Sequence, residues 1–420
     1  MAESVEKGRK PRGSCTICLP VDKGRYEQAV ASSEAFRRWL DQSFRETPEL
    51  FPRAFAHGYL LKDDRVSAKL GVRLRRIECK ATAEAFTVRP SFVLPYMAGF
   101  TDDVADGLFL RRFGVPYWAL AHVFGKDANY WYRLEVSLAR NSIVGTTARQ
   151  ADLPEHLLAD EHHQSLDGEK VFIATVVAEG CCLGASVVDT ADEAALAEAY
   201  GTFKLEALNV EPDYAPRSVS TDGWKATRLA WLTLFPLALI VRCFLHGWLS
   251  IRQRCKKDKH YKEAGDRIWQ AYDAQDKRTF AQRLRRVREW AKKGLKGISL
   301  EKVLKLCSRS QEYQKGYEEA QAHRTSNMLD RVMKHMNGYF DGCQHLHKSH
   351  QAAEKHCRAW ALLFNFAPWS PAAAKANDGW LSPAERLNQH CYHSHWLHNL
   401  LVSASLAGLR RPLPSPQTPA

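Results

Sequence analysis

The apolar positions of the chain keep three different rhythms. Across residues 102–140 they recur at helical spacing: Val104, Leu108 and Leu110 in one segment, 117–124 in a second, and Tyr130, Trp131, Leu134 and Leu138 in a third. Gly114-Val115-Pro116 and Gly125 interrupt them, so the pattern predicts helices over 102–112, 117–124 and 128–140. Three short helices joined by glycine-containing turns are what a helix-turn-helix domain needs, because its second and third helices cross steeply. A plain three-helix bundle has the same pattern. From Glu155 the period becomes that of strands. Residues 156–160 (HLLAD), 170–178 (KVFIATVVA) and 181–189 (CCLGASVVD) are β-rich, the last two separated only by Glu179-Gly180, a hairpin signal. Residues 191–208 read as helix, 217–222 (RSVSTD) as strand, 224–234 as helix and 237–242 (LALIVR) as a fifth strand. This order predicts an α/β layer on a mixed five-stranded sheet. The third rhythm is helical again, over 252–322, placed as an insertion after the fifth strand, and helix continues over 326–340 and 351–366.

The organisation expected from this is a mobile N-terminal segment (1–45), a helical, helix-turn-helix-like DNA-binding region (46–150), a first core part (151–250), a basic all-α insertion (251–322), a second core part (323–409) and a Pro-rich tail (410–420, RRPLPSPQTPA). The longest apolar run, 229–241, has 13 residues, includes Pro236 and ends at Arg242. That is short of the roughly 20 needed to span a bilayer, so it is expected to be buried core, with no membrane partner.

Composition sharpens this picture through its distribution. The 420 residues are 45% apolar and 25% charged, which excludes disorder as the overall state, and carry a net charge of +13. Residues 151–222 hold 15 acidic and 3 basic side chains, whereas 251–300 hold 16 basic and 6 acidic. A carboxylate-rich block is followed by a cationic one; the plain reading is two solvated surfaces, the functional one a cation site beside a polyanion-binding face. Eleven scattered cysteines and a polar, basic start without an apolar run predict a reducing cytoplasm.

Asp160 and Asp222 each end a predicted strand, and the first and fourth strands of such a sheet can be neighbours. Two carboxylates at adjacent strand ends can share a hard divalent cation such as Mg²⁺ with a third from elsewhere. Two such ions clamp the attacking and leaving oxygens of an in-line phosphoryl displacement. Asp330 in SNMLDRV, on a helix returning after the insertion, is the expected third ligand, with Glu318, Glu319 and Glu354 as competitors. Capping of the following helix is the rival role for Asp222, which precedes Gly223-Trp224.

The order of Asp160, SVSTDGW around Asp222 and FPLALIVRCFLHGWLSIRQ (235–253) resembles the DDE/D transposases of bacterial insertion-sequence and Mutator-like type. Cys243 and His246 match that family's Cys-x2-His element, and Asn327-Met328-Leu329-Asp330 its Asn-x-x-Glu/Asp context, with Asp in place of the commoner Glu. RAWALLFNFAPWSP (358–371) and GWLSPAERLN (379–388) are similar to its closing segments, and the likeness covers 153–410. It implies a ribonuclease-H-like core and an N-terminal DNA-binding part. It also implies two Mg²⁺ or Mn²⁺ ions on Asp160, Asp222 and Asp330. The implied activity is cleavage of transposon ends and strand transfer by 3′-hydroxyl attack on target DNA, by a homodimer or larger multimer on the bacterial nucleoid. Partners would be double-stranded terminal inverted repeats and target DNA. The basic insertion would track phosphates through Arg252, Arg254, Arg285, Arg286, Lys292 and Lys293, and Trp269 and Trp290 would stack on bases or pack as helix core. The alternatives are a transposase-derived DNA-binding protein without chemistry and a nuclease that does not join.

Other groups have plainer readings. Cys15-x2-Cys18 is half a zinc knuckle with Cys79 distant. His345, His347, His350, His356, Cys391, His393, His395 and His398 are expected as surface or phosphate-facing residues, with zinc the alternative. Glu161-His162-His163 beside Asp160 is a candidate support of the metal ligands.

Overall fold

The computed structural model describes residues 14–409 except 96, 345, 347 and 348. The chain starts with β1 (Thr16–Leu19), α1 (Lys23–Val30) and α2 (Ser33–Glu46), followed by β2 (Tyr59–Val66), β3 (Arg73–Cys79) and β4 (Glu84–Pro90). Asp22 and Ser32 accept from the backbone N–H groups of Arg25 and Ala35 and so cap α1 and α2. β2, β3 and β4 form an antiparallel meander, and β1 joins it parallel to β4, giving the order β1-β4-β3-β2.

Two expectations are corrected here. Residues 14–45 are not a mobile segment: β1 pairs with β4, and Tyr26, Phe36 and Leu40 are buried. Residues 1–13 and the tail 410–420 lie outside the described residues, as do His345 and His347. Nor is 46–150 helical throughout, since 59–90 is mostly strand. β2 (YLLKDDRV) and β3 (RLRRIEC) are held by cross-strand charge pairs such as Arg76–Asp63 at 2.6 Å, which leave little apolar alternation to read. The helical part comprises α3 (Asp102–Arg111), α4 (Tyr117–Phe124), α5 (Ala128–Leu138) and the short α6 (Ile143–Thr147), the first three matching expectation.

The central layer contains β5 (His156–Leu166), β6 (Glu169–Ala178), β7 (Cys181–Val188), α7 (Glu193–Val210), β8 (Ser218–Thr221), α8 (Lys225–Leu234) and β9 (Leu239–Arg242). The strands lie in the order β7-β6-β5-β8-β9. β5, β6 and β7 are antiparallel, while β8 and β9 run parallel to β5, so the sheet is mixed. Glu179 (φ 50°) and Gly180 (φ 79°) turn β6 into β7 with two positive-φ residues, the backbone that a two-residue hairpin favours. β5 runs six residues past Asp160 instead of ending there, because the polar continuation HHQSL pairs fully with β6.

An all-α segment follows β9: α9 (Phe244–Cys255), α10 (Tyr261–Tyr272), α11 (Lys277–Gly294), α12 (Gly297–Ser308) and α13 (Ser310–Gln314). It has its own core, built on Phe244, Trp248, Ile268, Phe280 and Leu284. The chain then returns through α14 (Asn327–Gly342), α15 (His350–Phe366), α16 (Pro371–Lys375), α17 (Pro383–Asn388) and α18 (Trp396–Ser403). α7 and α8 cover one face of the central sheet with Leu196, Tyr200, Phe203 and Trp231, and α14 and α15 cover the other with Val332, Met336, Phe340 and Trp360. Each such buried side chain contributes about 1.5–3 kcal/mol relative to exposure. The fold is a mixed α/β architecture, and no described helix is long and apolar enough to cross a membrane.

α15 belongs to two cores at once. Trp360 and Phe364 face the central sheet, while Ala359, Leu362, Leu363 and Phe366 join Leu397, Leu400 and Leu401 of α18 in the core beneath the N-terminal sheet. α5, the third helix of the expected helix-turn-helix, packs on α15 and buries Trp131, Leu134, Glu135, Ser137 and Leu138. Its broad inner face is thus committed to the core rather than free to enter a groove.

The same junction holds a buried ion pair. Arg111 on α3 donates through Nε to Glu135 on α5, whose carboxylate also accepts from Tyr117 at 2.8 Å and from Tyr339 of α14 at 2.5 Å. Burial alone would raise the Glu135 carboxyl, but Arg111, His356 and Tyr339 outweigh it and hold it at about 2. His356 therefore faces this pair and not a surface.

Candidate metal centre

Asp160 and Asp222 are set level by strand register. Paired residues of β5 and β8 are 62 positions apart, from His156 with Ser218 to Leu158 with Ser220, and Asp222 stands the same 62 positions beyond Asp160. Side chains alternate along a strand. Leu157 and Ala159 enter the core under α7 and α8, whereas Leu158 enters the one under α14 and α15, so Asp160 shares the α14 side. Glu161 takes the opposite side, where Tyr200 donates to it at 2.7 Å and Thr227 at 2.8 Å. Burial, together with the Asp160 charge, pushes the Glu161 carboxyl up to about 7 against the effect of those hydrogen bonds.

Gly223 makes the turn after Asp222 possible. Its φ is +89°, and a Cβ there would stand 2.4 Å from Cζ of Arg242. Oδ1 of Asp222 accepts from the backbone N–H of Trp224 at 2.6 Å, which shapes the turn before α8 without capping the helix, since no side chain caps its first turn.

Asp330 arrives from the far side of the insertion along a chain of hydrogen bonds anchored on the strand ends. Ser220 Oγ donates to the His323 carbonyl, and the Phe244 N–H donates to the Arg324 carbonyl at 2.9 Å. The Cys243 thiol donates to Ser326 Oγ at 3.4 Å, and Ser326 Oγ donates to Oδ2 of Asp330 at 3.1 Å. α14 is thereby fixed with its first turn at the carboxyl ends of β8 and β9. Ser326 and Cys243 are positioning residues that sequence reading did not single out in this role; the Ser-x3-Asp spacing at a helix start was the available signal.

The charges of Asp222 and Asp330 both reach Asp160. Burial and then the charges of Asp222 and Asp330 push the Asp160 carboxyl up to about 6, opposed by the Glu161 N–H at 2.9 Å and by His246. His246 is itself held up at about 9, chiefly by hydrogen bonding to Cys243 and, against burial, by the charges of Cys243, Asp160 and Asp222. Burial raises the Cys243 thiol, but His246 and Ser326 outweigh it and lower the thiol below its ordinary value. Among the described residues, no Lys or Arg forms an ion pair with the three aspartates. Their oxygens do not close to within 4.8 Å of one another, as the ligand atoms of Asp102, His395 and His398 do. Three carboxylates and no sulfur or uncharged imidazole form a hard donor set, which fits Mg²⁺ or Mn²⁺.

The competitors lie elsewhere. Glu354 accepts from the Val187 N–H at 2.6 Å on β7, two strands from β5, and Glu318 is exposed and pairs with Lys277 at 3.4 Å. Nothing in the structure links Glu319 to Asp160. Arg252, Arg254, Arg285, Arg286, Lys292 and Lys293 are all exposed on the insertion. Trp269 packs edge-on against Phe244 and Trp248, and Trp290 lies half-buried under Arg267 at 5.0 Å, so both are helix-core residues. His162 stacks on Phe340 of α14, and burial lowers it to about 4. Cys18 is buried in β1 and Cys15 exposed, which separates the two halves of the CxxC pair.

Comparison of the chain with protein-family models and with curated proteins finds no match.

Proposed function

We propose that the protein is a metal-dependent DNA transposase whose chemistry is carried by Asp160, Asp222 and Asp330 on a ribonuclease-H-like core. The observation that carries this reading is that three half-buried aspartates, on the first strand, just after the fourth strand and on the helix after an all-α insertion, lie near enough for the charges of Asp222 and Asp330 to raise Asp160, with no Lys or Arg paired to them among the described residues. The mixed five-stranded sheet, with β8 beside β5, supports this reading.

Mg²⁺ or Mn²⁺, when bound, supplies activation of the attacking oxygen and neutralisation of the leaving one at an in-line phosphodiester displacement. Asp160 and Asp222 present oxygens from adjacent strands, and Asp330 closes the set from α14. Asp222, tied to the Trp224 N–H, keeps a fixed orientation. The Cys243–His246 pair borders the centre, His246 being held up by Cys243 and by the charges of Asp160 and Asp222. The exposed Arg and Lys residues of α9 and α11 line a face suited to the DNA backbone, which makes binding fall steeply with salt. A 3′-hydroxyl freed by hydrolysis then attacks a target phosphodiester, forming a new P–O bond as the P–O bond to the target's own 3′-oxygen breaks and that oxygen leaves as a hydroxyl, with no covalent protein intermediate.

The test uses DNA carrying the genomic flanks of the gene. Mg²⁺-dependent cleavage by the wild type and its loss in Asp222→Asn are expected, with joined product from pre-cleaved ends and a plasmid target. No cleavage with either Mg²⁺ or Mn²⁺ would leave a DNA-binding protein without chemistry. Cleavage without joining would leave a nuclease.

A further inference from the structure

Asp102 and His398 are 296 residues apart in sequence, yet Nε2 of His398 lies 2.9 Å from Oδ1 of Asp102. With His395 they form a group whose ligand atoms all lie within 4.8 Å of one another. The group is held from behind. Nδ1 of His398 is 3.0 Å from Oγ of the buried Ser91, and the Ser91 carbonyl accepts from Thr101 Oγ1 at 2.6 Å, next to Asp102 in the chain. The His398 ring is 5% exposed and stacks on His393, with centroids 4.3 Å apart. Nδ1 of His393 accepts from the His395 backbone N–H at 2.9 Å, so its lone pair is used in shaping the loop. His395 differs from both: its Nδ1 is buried and has no hydrogen-bond partner. Buried polar atoms are paired in the great majority of cases, so an unpartnered imidazole nitrogen beside a second imidazole and a carboxylate calls for a ligand.

We infer that Asp102, His395 and His398 bind one zinc ion that fastens α18 to the start of α3. Two imidazoles and one carboxylate are ligands that zinc takes at about 2.0–2.2 Å. Ser91 engages Nδ1 of His398 and leaves Nε2 to ligate, the second contact that metal-bound histidines generally make. Asp102 is 70% exposed, so a water completes the coordination from the solvent side. α18 packs in the core beneath the N-terminal sheet, and the ion adds a bond from that helix to α3. The site is remote in sequence from Asp160, Asp222 and Asp330 and does not depend on what they do.

The test is zinc binding by the full, untagged chain in an Asp222→Asn background, which weakens metal uptake at the aspartate centre. Competition with a chromophoric chelator of micromolar affinity should give one zinc retained per chain. His395→Gln, at a half-buried side chain, and Asp102→Asn, at an exposed one, should weaken it by at least about 10-fold. Zinc should raise the melting temperature of the parent and not of His395→Gln, whose circular dichroism without zinc should match the parent. Loss of zinc to the chelator by the parent, or equal retention by His395→Gln, would overturn the inference. So would tighter binding of Mn²⁺ or Fe²⁺ than of zinc in parallel titrations, since the ligand set also suits a ferrous ion.

Discussion

Two sheltered carboxylates of the molecule, Glu135 and Asp160, are treated in opposite ways. At the junction of α3, α5 and α14, Glu135 is fully buried but is met by Arg111, Tyr117, Tyr339 and His356, and its carboxyl sits at about 2. Midway along β5, beside the end of β8, Asp160 faces the charges of two further aspartates and is pushed up to about 6. Burial penalises both equally in kind; the partners decide the sign. A carboxylate surrounded by donors is part of the structure, whereas one facing like charges keeps an electrostatic cost that only a cation or a proton removes. The second arrangement is the mark of a functional site.

Substitutions should separate the two. The largest effect is expected on activity: Asp222→Asn should lower metal-dependent DNA cleavage by at least about 100-fold, beyond the 10–100-fold that loss of a ligand's supporting residue costs. Glu135→Gln, measured in the same assay at 20 °C, should leave cleavage within a few-fold if it stays folded. Next in size is stability. Glu135→Ala strands Arg111 in the core and should cost about 3–5 kcal/mol in urea unfolding.

The pH dependence follows from the same contrast. Glu135 ordinarily titrates at 4.5 and is held at about 2 in the folded chain, so its contribution is present above pH 4.5 and is lost as pH falls through 2. It amounts to about 3 kcal/mol, and unfolding free energies measured from pH 5 to pH 2.5 should fall in the wild type and flatten in Glu135→Gln. The smallest effect has the opposite sign. Asp160→Asn removes one of three like charges and should stabilise the protein by about 1 kcal/mol at pH 7.5 in EDTA, with the gain shrinking when Mn²⁺ is added. A destabilised Asp160→Asn in EDTA would contradict the comparison.

How far these features could be read from residues alone depended on where their causes lie in the chain. The central sheet was legible because β6 and β7 are apolar runs joined by a two-residue turn and β9 is flanked by a clear helix, all local signals. That β5 and β8 lie side by side was legible from the strand order, whereas their 62-residue register became visible only in the sheet. The N-terminal sheet was not legible, because β1 is four residues long and pairs with a strand some 70 residues away, and β2 and β3 are rich in charges that pair across the meander. The helix-turn-helix reading matched three helices but not their setting: which face of α5 is buried is decided by α15, more than 200 residues later. Asp330 was indicated by its place after the insertion, while the bonds that bring it in, through Ser220, Cys243 and Ser326, join four chain segments and leave no local pattern.

On the proposed reading the three aspartates form a cation site and Glu135 does not. Titration of Mn²⁺ into the metal-free chain, followed by the loss of the free-ion electron paramagnetic resonance signal, tests it most directly. Binding by the wild type, weakened at least about 10-fold in both Asp160→Asn and Asp330→Asn and unchanged in Glu135→Gln, is the predicted result. Equal Mn²⁺ binding by the wild type and the aspartate variants would contradict it.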